Sequence, residues 1–163
     1  MIPAPAKPIV IDTNVCLDLF VFRDPRWAPL LAALESGRVR AVTRADCRDE
    51  YRIVLHYAHL PLDDGTRPEA AARFDALIEV VAPTSRALRL PVCTDRDDQK
   101  FLEIARDTRA AVLLTKDKAL LKLARRTARD GLFLVQTPDA WLKARLEADA
   151  AMPAQAPAAA TLE

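Results

Sequence analysis

Two aspartates follow short apolar runs near opposite ends of the chain. Asp12 directly follows the run at residues 9–11, and Asp117 comes shortly after the run at 110–114. Short apolar runs bounded by polar residues predict strands of a parallel sheet that is buried on both faces. Ligands of such sheets bind beyond the carboxyl ends of the strands. We therefore expect Asp12 and Asp117 to point into one crevice.

A glutamate on a predicted mid-chain helix is a third candidate. In the helix predicted over 45–57, Glu50 borders the apolar stripe, whereas Asp46 and Asp49 lie further round toward solvent. Glu50 is thus the acid of this helix that we expect to reach the sheet. A lone glutamate on a helix is otherwise more often solvated.

A fourth acid comes from the segment that opens the helix predicted over 97–108. Both Asp97 and Asp98 border its apolar face, and Asp95 lies further round. Periodicity does not choose between Asp97 and Asp98. Aspartate is also a favoured N-cap, so Asp12, Asp95, Asp97 and Asp117 each have a structural explanation as the cap of a following helix.

Taken together, the four acids favour chemistry over capping. Two unit charges about 4 Å apart repel by roughly 4 kcal/mol at an effective dielectric constant of about 20, so the group needs a cation. All-oxygen carboxylate sites suit Mg²⁺ or Mn²⁺. Such an ion activates water and stabilises the charge that develops on a phosphodiester. The pattern indicates a metal-dependent nuclease.

The elements that must position these acids alternate between strand and helix. We predict helices over 15–22, 27–35, 45–57, 69–81, 97–108, 118–128 and 138–146, and strands over 8–12, 38–43, 110–115 and 132–135, with a brief further strand near 90–93. Residues 60–68 read as a loop. The alternation predicts an α/β fold, a three-layer α/β/α sandwich with a mainly parallel central sheet of four to five strands.

Composition narrows the class of protein. The 163 residues suit one domain over residues 1–147, followed by an Ala- and Pro-rich tail over 148–163 that we expect to be disordered. Lys plus Arg number 24 against 23 Asp plus Glu, so no overall positive field recruits nucleic acid. No apolar run approaches the roughly 20 residues of a membrane span. We expect a cytoplasmic protein that does not enter a membrane.

Cysteine, histidine and glycine usage excludes several other sites. Three widely spaced cysteines form no Cys-x-x-Cys pair, which argues against a disulfide framework and a structural zinc site. His56 and His59 could bind a metal, but a solvated pair at a helix end is favoured. Three glycines cannot form a phosphate-binding loop or a dinucleotide fingerprint.

With these residues placed, the chain resembles the PIN-domain nucleases, in particular the VapC-like ribonucleases of bacteria and archaea that act as toxins of toxin-antitoxin pairs. The resemblance covers residues 9–141. It is carried by four motifs in order: Asp12-Thr13-Asn14, Glu50-Tyr51, the D-x-K-F-L-x-x-A pattern that begins at Asp98, and Thr115-x-Asp117. Each motif is weak alone, and the four together at workable spacing are strong.

The resemblance implies an endoribonuclease that uses Mg²⁺ or Mn²⁺. It implies metal ligands at Asp12, Asp98 and Asp117, with Glu50 as a ligand or as an acid that supports the ligands. It prefers Asp98 to Asp97, although the acid-rich triplet with Asp95 could let the third ligand shift or be shared. It implies orienting roles for Thr13, Asn14 and Thr115. Family members are commonly dimers neutralised by an antitoxin, so a homodimer and a cognate antitoxin are implied partners.

Two groups of arginines are candidates for contacts with RNA phosphates. Arg86, Arg89 and Arg96 lie in the connection that leads to the acidic helix, while Arg44, Arg48 and Arg52 share one face of the helix that carries Glu50. Pairing with neighbouring acids on a solvated surface explains them equally well.

Three other functions compete with the nuclease. A haloacid-dehalogenase-type phosphatase needs Asp-x-Asp-x-Thr after the first strand, which the sequence Asp12-Thr13-Asn14-Val15 does not supply. A receiver domain needs an acidic pair at that strand end, although Lys116 could serve as its late lysine. A catalytically silent PIN-like module that binds RNA or a protein partner also remains open.

Overall fold

The computed structural model describes residues 6–151 and contains a five-stranded sheet with helices on both faces. The strands are β1 (Ile9–Ile11), β2 (Ala41–Thr43), β3 (Ile78–Val80), β4 (Val112–Leu114) and β5 (Leu134–Gln136). The helices are α1 (Thr13–Phe20), α2 (Ala28–Glu35), α3 (Ala45–Val54), α4 (Thr66–Leu77), α5 (Gln99–Asp107), α6 (Lys118–Leu121), α7 (Ala124–Arg129) and α8 (Pro138–Ala151). Single 3-10 turns precede α2 and α5, at Pro25–Trp27 and Arg96–Asp98.

The sheet has the order β3-β2-β1-β4-β5, and every strand pair is parallel. The chain moves outward from β1 to β3 on one side, and then returns to build β4 and β5 on the other. Strand order therefore reverses between β1 and β4, which is where the ligand crevice of an open parallel sheet opens. Asp12 directly follows β1, and Thr115 directly follows β4.

Alternate residues of the central strands face two separate cores. Ile9 and Ile11 of β1 belong to the core formed with α1, α2, α4 and α8, whereas Val10 belongs to the core formed with α5, α6 and α7. Because successive strand residues point to opposite faces, a continuous apolar run fills both cores. The predicted three-layer α/β/α fold is confirmed.

The fifth strand is not the one that the sequence suggested. The prediction of helix over 69–81 is wrong at its end, because α4 stops at Leu77 and residues 78–80 form the edge strand β3. Only Ile78 of β3 is buried, so the strand gives no alternating signal. The predicted strand near 90–93 is also wrong: Pro91 cannot donate to a strand ladder, and the side chain of Gln99 binds the Pro91 carbonyl and the Cys93 amide instead.

Several helix boundaries also shift. The predicted helix over 118–128 divides into α6 and α7, the helix over 45–57 ends at Val54, and α4 begins inside the predicted loop at Thr66. The last helix continues to Ala151, so the first residues of the predicted tail over 148–163 are helical. Residues 152–163 lie outside the described part of the chain.

The predictions for the cysteines and the two histidines agree with the structure. Cys16, Cys47 and Cys93 are buried free thiols. His56 and His59 are exposed beyond the end of α3. Within residues 6–151, no helix combines the length and the apolar character that crossing a bilayer requires.

Candidate active site

A buried threonine joins the acids that follow β1 and β4. Thr115 is fully buried, and its Oγ1 donates a hydrogen bond of 2.6 Å to Oδ2 of Asp12. The same oxygen accepts a hydrogen bond of 2.9 Å from the backbone N–H of Asp117. The side chain of Thr115 thus fixes the carboxylate of Asp12 and the backbone of Asp117 at the point where strand order reverses.

Asp12 does not act as a helix cap. It precedes α1, but its carboxylate makes no capping hydrogen bond to that helix. The residue is only 4% exposed, and burial raises its pKa from 3.8 to about 6 against the opposing hydrogen bond from Thr115. The charges of Glu50 and Asp117 raise the pKa further. The fold holds this carboxylate where it is costly to ionise, which a structural cap does not require.

Three carboxylates converge beside Asp12 into what we call the acidic cluster. It consists of Asp95, Asp98 and Asp117, each of which places one oxygen within 4.8 Å of the others. Asp95 also caps the 3-10 turn by accepting from the Asp97 amide at 3.1 Å, and Asp117 caps α6 by accepting from the Ala119 amide at 2.8 Å. The capping interpretation is therefore right for these two residues. Capping does not explain why these carboxylates converge, because each cap uses only one of the two carboxylate oxygens.

The structure separates the two neighbouring aspartates that periodicity left equivalent. Asp98 is half-buried and belongs to the acidic cluster, whereas Asp97 is exposed. Asp97 contributes its backbone carbonyl, which accepts a hydrogen bond of 2.7 Å from Lys100.

Asp98 is the least satisfied member of the acidic cluster. Its Oδ2 is buried and has no hydrogen-bond partner among the described residues. Burial raises the pKa of Asp98, and the hydrogen bond with Asp117 and the charge of Asp12 raise it further. The hydrogen bond from Asp98 lowers the pKa of Asp117 in turn. The neighbouring carboxylates therefore oppose the ionisation of Asp98, as expected for acids gathered in one place.

A divalent ion fits this set of ligands. It would supply the missing partner of Asp98 Oδ2 and offset the repulsion between the carboxylates. The acidic cluster offers carboxylate oxygens and, within residues 6–151, contains no histidine or cysteine ligand. Oxygen-only ligands favour Mg²⁺ or Mn²⁺ over zinc.

Glu50 has both of its oxygens occupied. Oε1 accepts a hydrogen bond of 2.6 Å from Thr13 Oγ1, and Oε2 forms an ion pair with Lys100 Nζ. Burial disfavours the charge of Lys100, but the hydrogen bond to Glu50 and the nearby negative charges together outweigh it, so the lysine pKa is raised. The Lys100–Glu50–Thr13 chain connects α5, α3 and α1, the elements that flank the acidic cluster. The motif around Asp98 contains Lys100, but its partner lies 50 residues away in sequence.

Two polar groups on α1 also lie near this edge of the sheet. Asn14 Oδ1 is buried without a partner among the described residues. Asp18, one turn further on, is 8% exposed and forms a 2.6 Å ion pair with Lys116. Because Lys116 is bound to Asp18, it is not free to act as the lysine of a receiver domain.

Most of the arginines proposed as RNA contacts are engaged within the protein. Arg44 pairs with Asp46 at 2.8 Å and Glu103 at 3.0 Å, and Arg48 lies 3.6 Å from Asp49. Arg52 pairs with Asp75. The guanidinium of Arg86 donates to the Arg106 carbonyl, and its backbone amide donates to the Asp107 carboxylate. Arg89 and Arg96 are exposed without an ion pair in the described part of the chain. The alternative of a paired, solvated surface therefore describes Arg44, Arg48 and Arg52.

Comparison with known proteins identifies the family. The family model of the PIN domain matches residues 8–119, which is more than half of the chain and includes Asp12, Glu50, Asp98 and Asp117. Searches of curated proteins and of solved structures found no significant match. The chain belongs to the PIN domain family, whose members are generally nucleases.

Proposed function

We propose that this PIN domain is a metal-dependent endoribonuclease that hydrolyses RNA phosphodiester bonds. The observation that carries the proposal is the acidic cluster beside Asp12, in which Asp98 Oδ2 is buried without a partner among the described residues. Helix capping does not require a buried carboxylate oxygen that has no hydrogen-bond partner. A site for a divalent cation does need it.

The ion would be held by Asp12, Asp98 and Asp117, with Asp95 as an additional carboxylate of the acidic cluster. The hydrogen bond from Thr115 to Oδ2 of Asp12 would fix the orientation of that carboxylate toward the ion. When bound, a divalent ion supplies an activated water and stabilises the charge of the phosphodiester in the transition state.

Glu50 has a supporting role in this proposal. Its two oxygens are bound by Thr13 and Lys100, so it fixes the first turn of α1 instead of contributing a ligand. Asn14, in that same turn, carries a buried side-chain carbonyl oxygen that can accept a hydrogen bond from a water or from a donor group of the substrate. Partners that orient ligand residues typically change metal affinity or activity by about 10- to 100-fold when they are removed.

The choice of RNA and the biological role rest on the four-motif resemblance to VapC-like ribonucleases. On that basis we propose that the protein is the toxin of a toxin-antitoxin pair, works in the cytoplasm as a homodimer and is neutralised by a cognate antitoxin. The four acids of the motifs all lie within the region that matches the family.

The proposal is tested by incubating the purified protein with a mixed structured RNA, with Mg²⁺ or Mn²⁺ and separately with chelator. Asp12→Asn and Asp117→Asn remove one carboxylate from each side of Thr115. Asp49→Asn is the matched control, because Asp49 is an exposed acid on α3 outside the acidic cluster. We expect cleavage that needs the metal, persists in the control and disappears in both site variants.

Other outcomes of the same experiment would reject the proposal. Equal cutting by all proteins would identify a contaminating nuclease. No cutting by any of them, together with Mn²⁺ binding in a calorimetric titration, would favour the silent binding module.

A further inference from the structure

The segment that follows Asp117 carries a concentrated positive charge. Between residues 118 and 129 there are five basic residues and no acidic one. We call them the basic stripe: Lys118, Lys122, Arg125, Arg126 and Arg129. All five are exposed. In a chain whose formal net charge is only +1, this is a strong local asymmetry.

The spacing of the basic stripe places its members on one side of the α6–α7 segment. Consecutive members are three or four residues apart, apart from the adjacent pair Arg125 and Arg126, and such residues are neighbours on a helix surface. Leu120, Leu123 and Thr127 are buried on the opposite side. The stripe therefore faces away from the core.

The charges of the basic stripe are almost uncompensated. Within the described residues only Arg129 forms an ion pair, with Asp130 at 3.6 Å. By contrast, Arg44, Arg48 and Arg52 are all paired with acids. Like charges three or four residues apart on a helix repel each other and destabilise it. An anionic ligand would relieve this repulsion.

The position of the basic stripe connects it to the candidate active site. Lys118 is adjacent in sequence to Asp117, and the stripe continues from there along α6 and α7. The region that matches the PIN family ends at residue 119, so most of the stripe lies outside it. The stripe is thus a feature of this chain beyond what defines its family.

We propose that the basic stripe binds the phosphate backbone of an RNA strand and leads that strand to the acidic cluster. The inference rests on the proposed ribonuclease function and identifies the surface that holds its substrate. RNA needs such a surface, because the acidic cluster repels phosphates. A protein partner would instead need apolar anchors, and the large exposed hydrophobic residues of the described chain all lie outside residues 118–129.

The test measures binding of a labelled oligouridylate of about twelve nucleotides, a length within the usual range of single-strand sites. Chelator prevents cleavage. The stripe variant combines Lys122→Glu with Arg125→Glu. The control combines Arg38→Glu with Lys143→Glu, which makes the same charge change at exposed positions on the connection between α2 and β2 and on α8.

The expected loss follows from counterion release. Each phosphate contact to a single strand contributes about 0.7 to the slope of log affinity against log salt, so two lost contacts reduce the slope by about 1.4. At about 0.1 M salt, relative to 1 M, this corresponds to roughly 25-fold weaker binding. The control should bind as the unaltered protein does. In cleavage assays the stripe variant should raise KM and leave kcat unchanged.

Three results would overturn the proposal. Unchanged binding in the stripe variant would show that RNA binds elsewhere on the protein. Equal loss of binding in the stripe variant and the control would show that net charge, and not the position of the stripe, determines RNA affinity. If the unaltered protein bound no RNA, the stripe would be left as a surface for an acidic protein partner. Cleavage of the same RNA by the unaltered protein is measured separately. The proposed ribonuclease activity can therefore be confirmed even if the basic stripe does not bind RNA.

Discussion

Thr115→Val tests whether the bridging threonine organises a metal site. Valine keeps the shape of the side chain but removes the donor to Asp12 Oδ2 and the acceptor for the Asp117 amide. A hydrogen bond to a charged group is worth about 1.5–3 kcal/mol. Since 1.4 kcal/mol is about tenfold in a binding constant, Mn²⁺ affinity should fall by about 10- to 100-fold.

Thr127→Val is the matched control. Thr127 is also fully buried, but its hydroxyl donates to the neutral backbone carbonyl of Ala124 at 3.1 Å, far along α7. Its removal should cost about 0.5–1.5 kcal/mol of stability and leave Mn²⁺ affinity unchanged.

The assay combines isothermal titration with Mn²⁺ and thermal unfolding with and without the ion. Binding to the folded state raises stability by RT ln(1 + [L]/Kd), so the increase in Tm on adding Mn²⁺ should shrink in Thr115→Val and persist in Thr127→Val. Unchanged Mn²⁺ affinity in Thr115→Val would refute the bridging role. Equal loss in both variants would reduce it to general destabilisation.

Two further predictions concern charged groups around the site, and a third concerns Asp107 at the other end of α5. Lys100→Met should lower kcat by about 10- to 100-fold by releasing Glu50, and Lys100→Arg should restore most of it; full activity in Lys100→Met would count against the positioning role. Asp98→Asn should raise the Tm of the metal-free protein, because burial and neighbouring acids make ionisation of Asp98 unfavourable, and should abolish the Tm increase caused by Mn²⁺; a lower metal-free Tm would contradict this. Burial opposes the ionisation of Asp107, but hydrogen bonds from Arg106 and from a backbone amide outweigh it and lower its pKa. The stabilisation is therefore present above the unfolded pKa and lost as pH falls through the folded value, so Asp107→Asn should destabilise by about 1.5–3 kcal/mol at neutral pH in urea unfolding and by progressively less as the pH falls below the usual aspartate range; a loss that does not change with pH would refute the linkage.

The parts of the fold that the sequence predicted correctly are those where one local pattern determines the structure. The apolar runs before Asp12 and Thr115 are buried on both faces and end abruptly in polar residues, so strand position and the edge of the sheet follow together. Helical periodicity similarly separates Glu50, which contacts Thr13, from the exposed Asp46 and Asp49.

The parts that it missed depend on contacts that sequence patterns do not report. The edge strand β3 has one buried residue, and its apolar positions also fit the end of a helix. The sequence places Arg44 and Arg48 on one face of a helix, but it does not show that one acid paired with Arg44 is Glu103, which is 59 residues away. Periodicity predicts which side of a helix is polar and does not show whether its charges are already paired.

The residues in the acid-rich triplet illustrate the same limit at the site itself. Asp97 and Asp98 are both compatible with the apolar face of α5, and the choice depends on the 3-10 turn Arg96–Asp98 that precedes the helix. That turn directs Asp98 toward Asp117 and leaves Asp97 exposed.

The central claim is that acids from separate elements of the sheet edge form one divalent-ion site. The most direct measurement is anomalous X-ray scattering from crystals of the protein grown with Mn²⁺. We predict a single strong peak coordinated by carboxylate oxygens of Asp98 and Asp117, within reach of Asp12, that is absent in crystals of Asp98→Asn. A peak elsewhere, or no peak here in protein that cleaves RNA, would contradict the account.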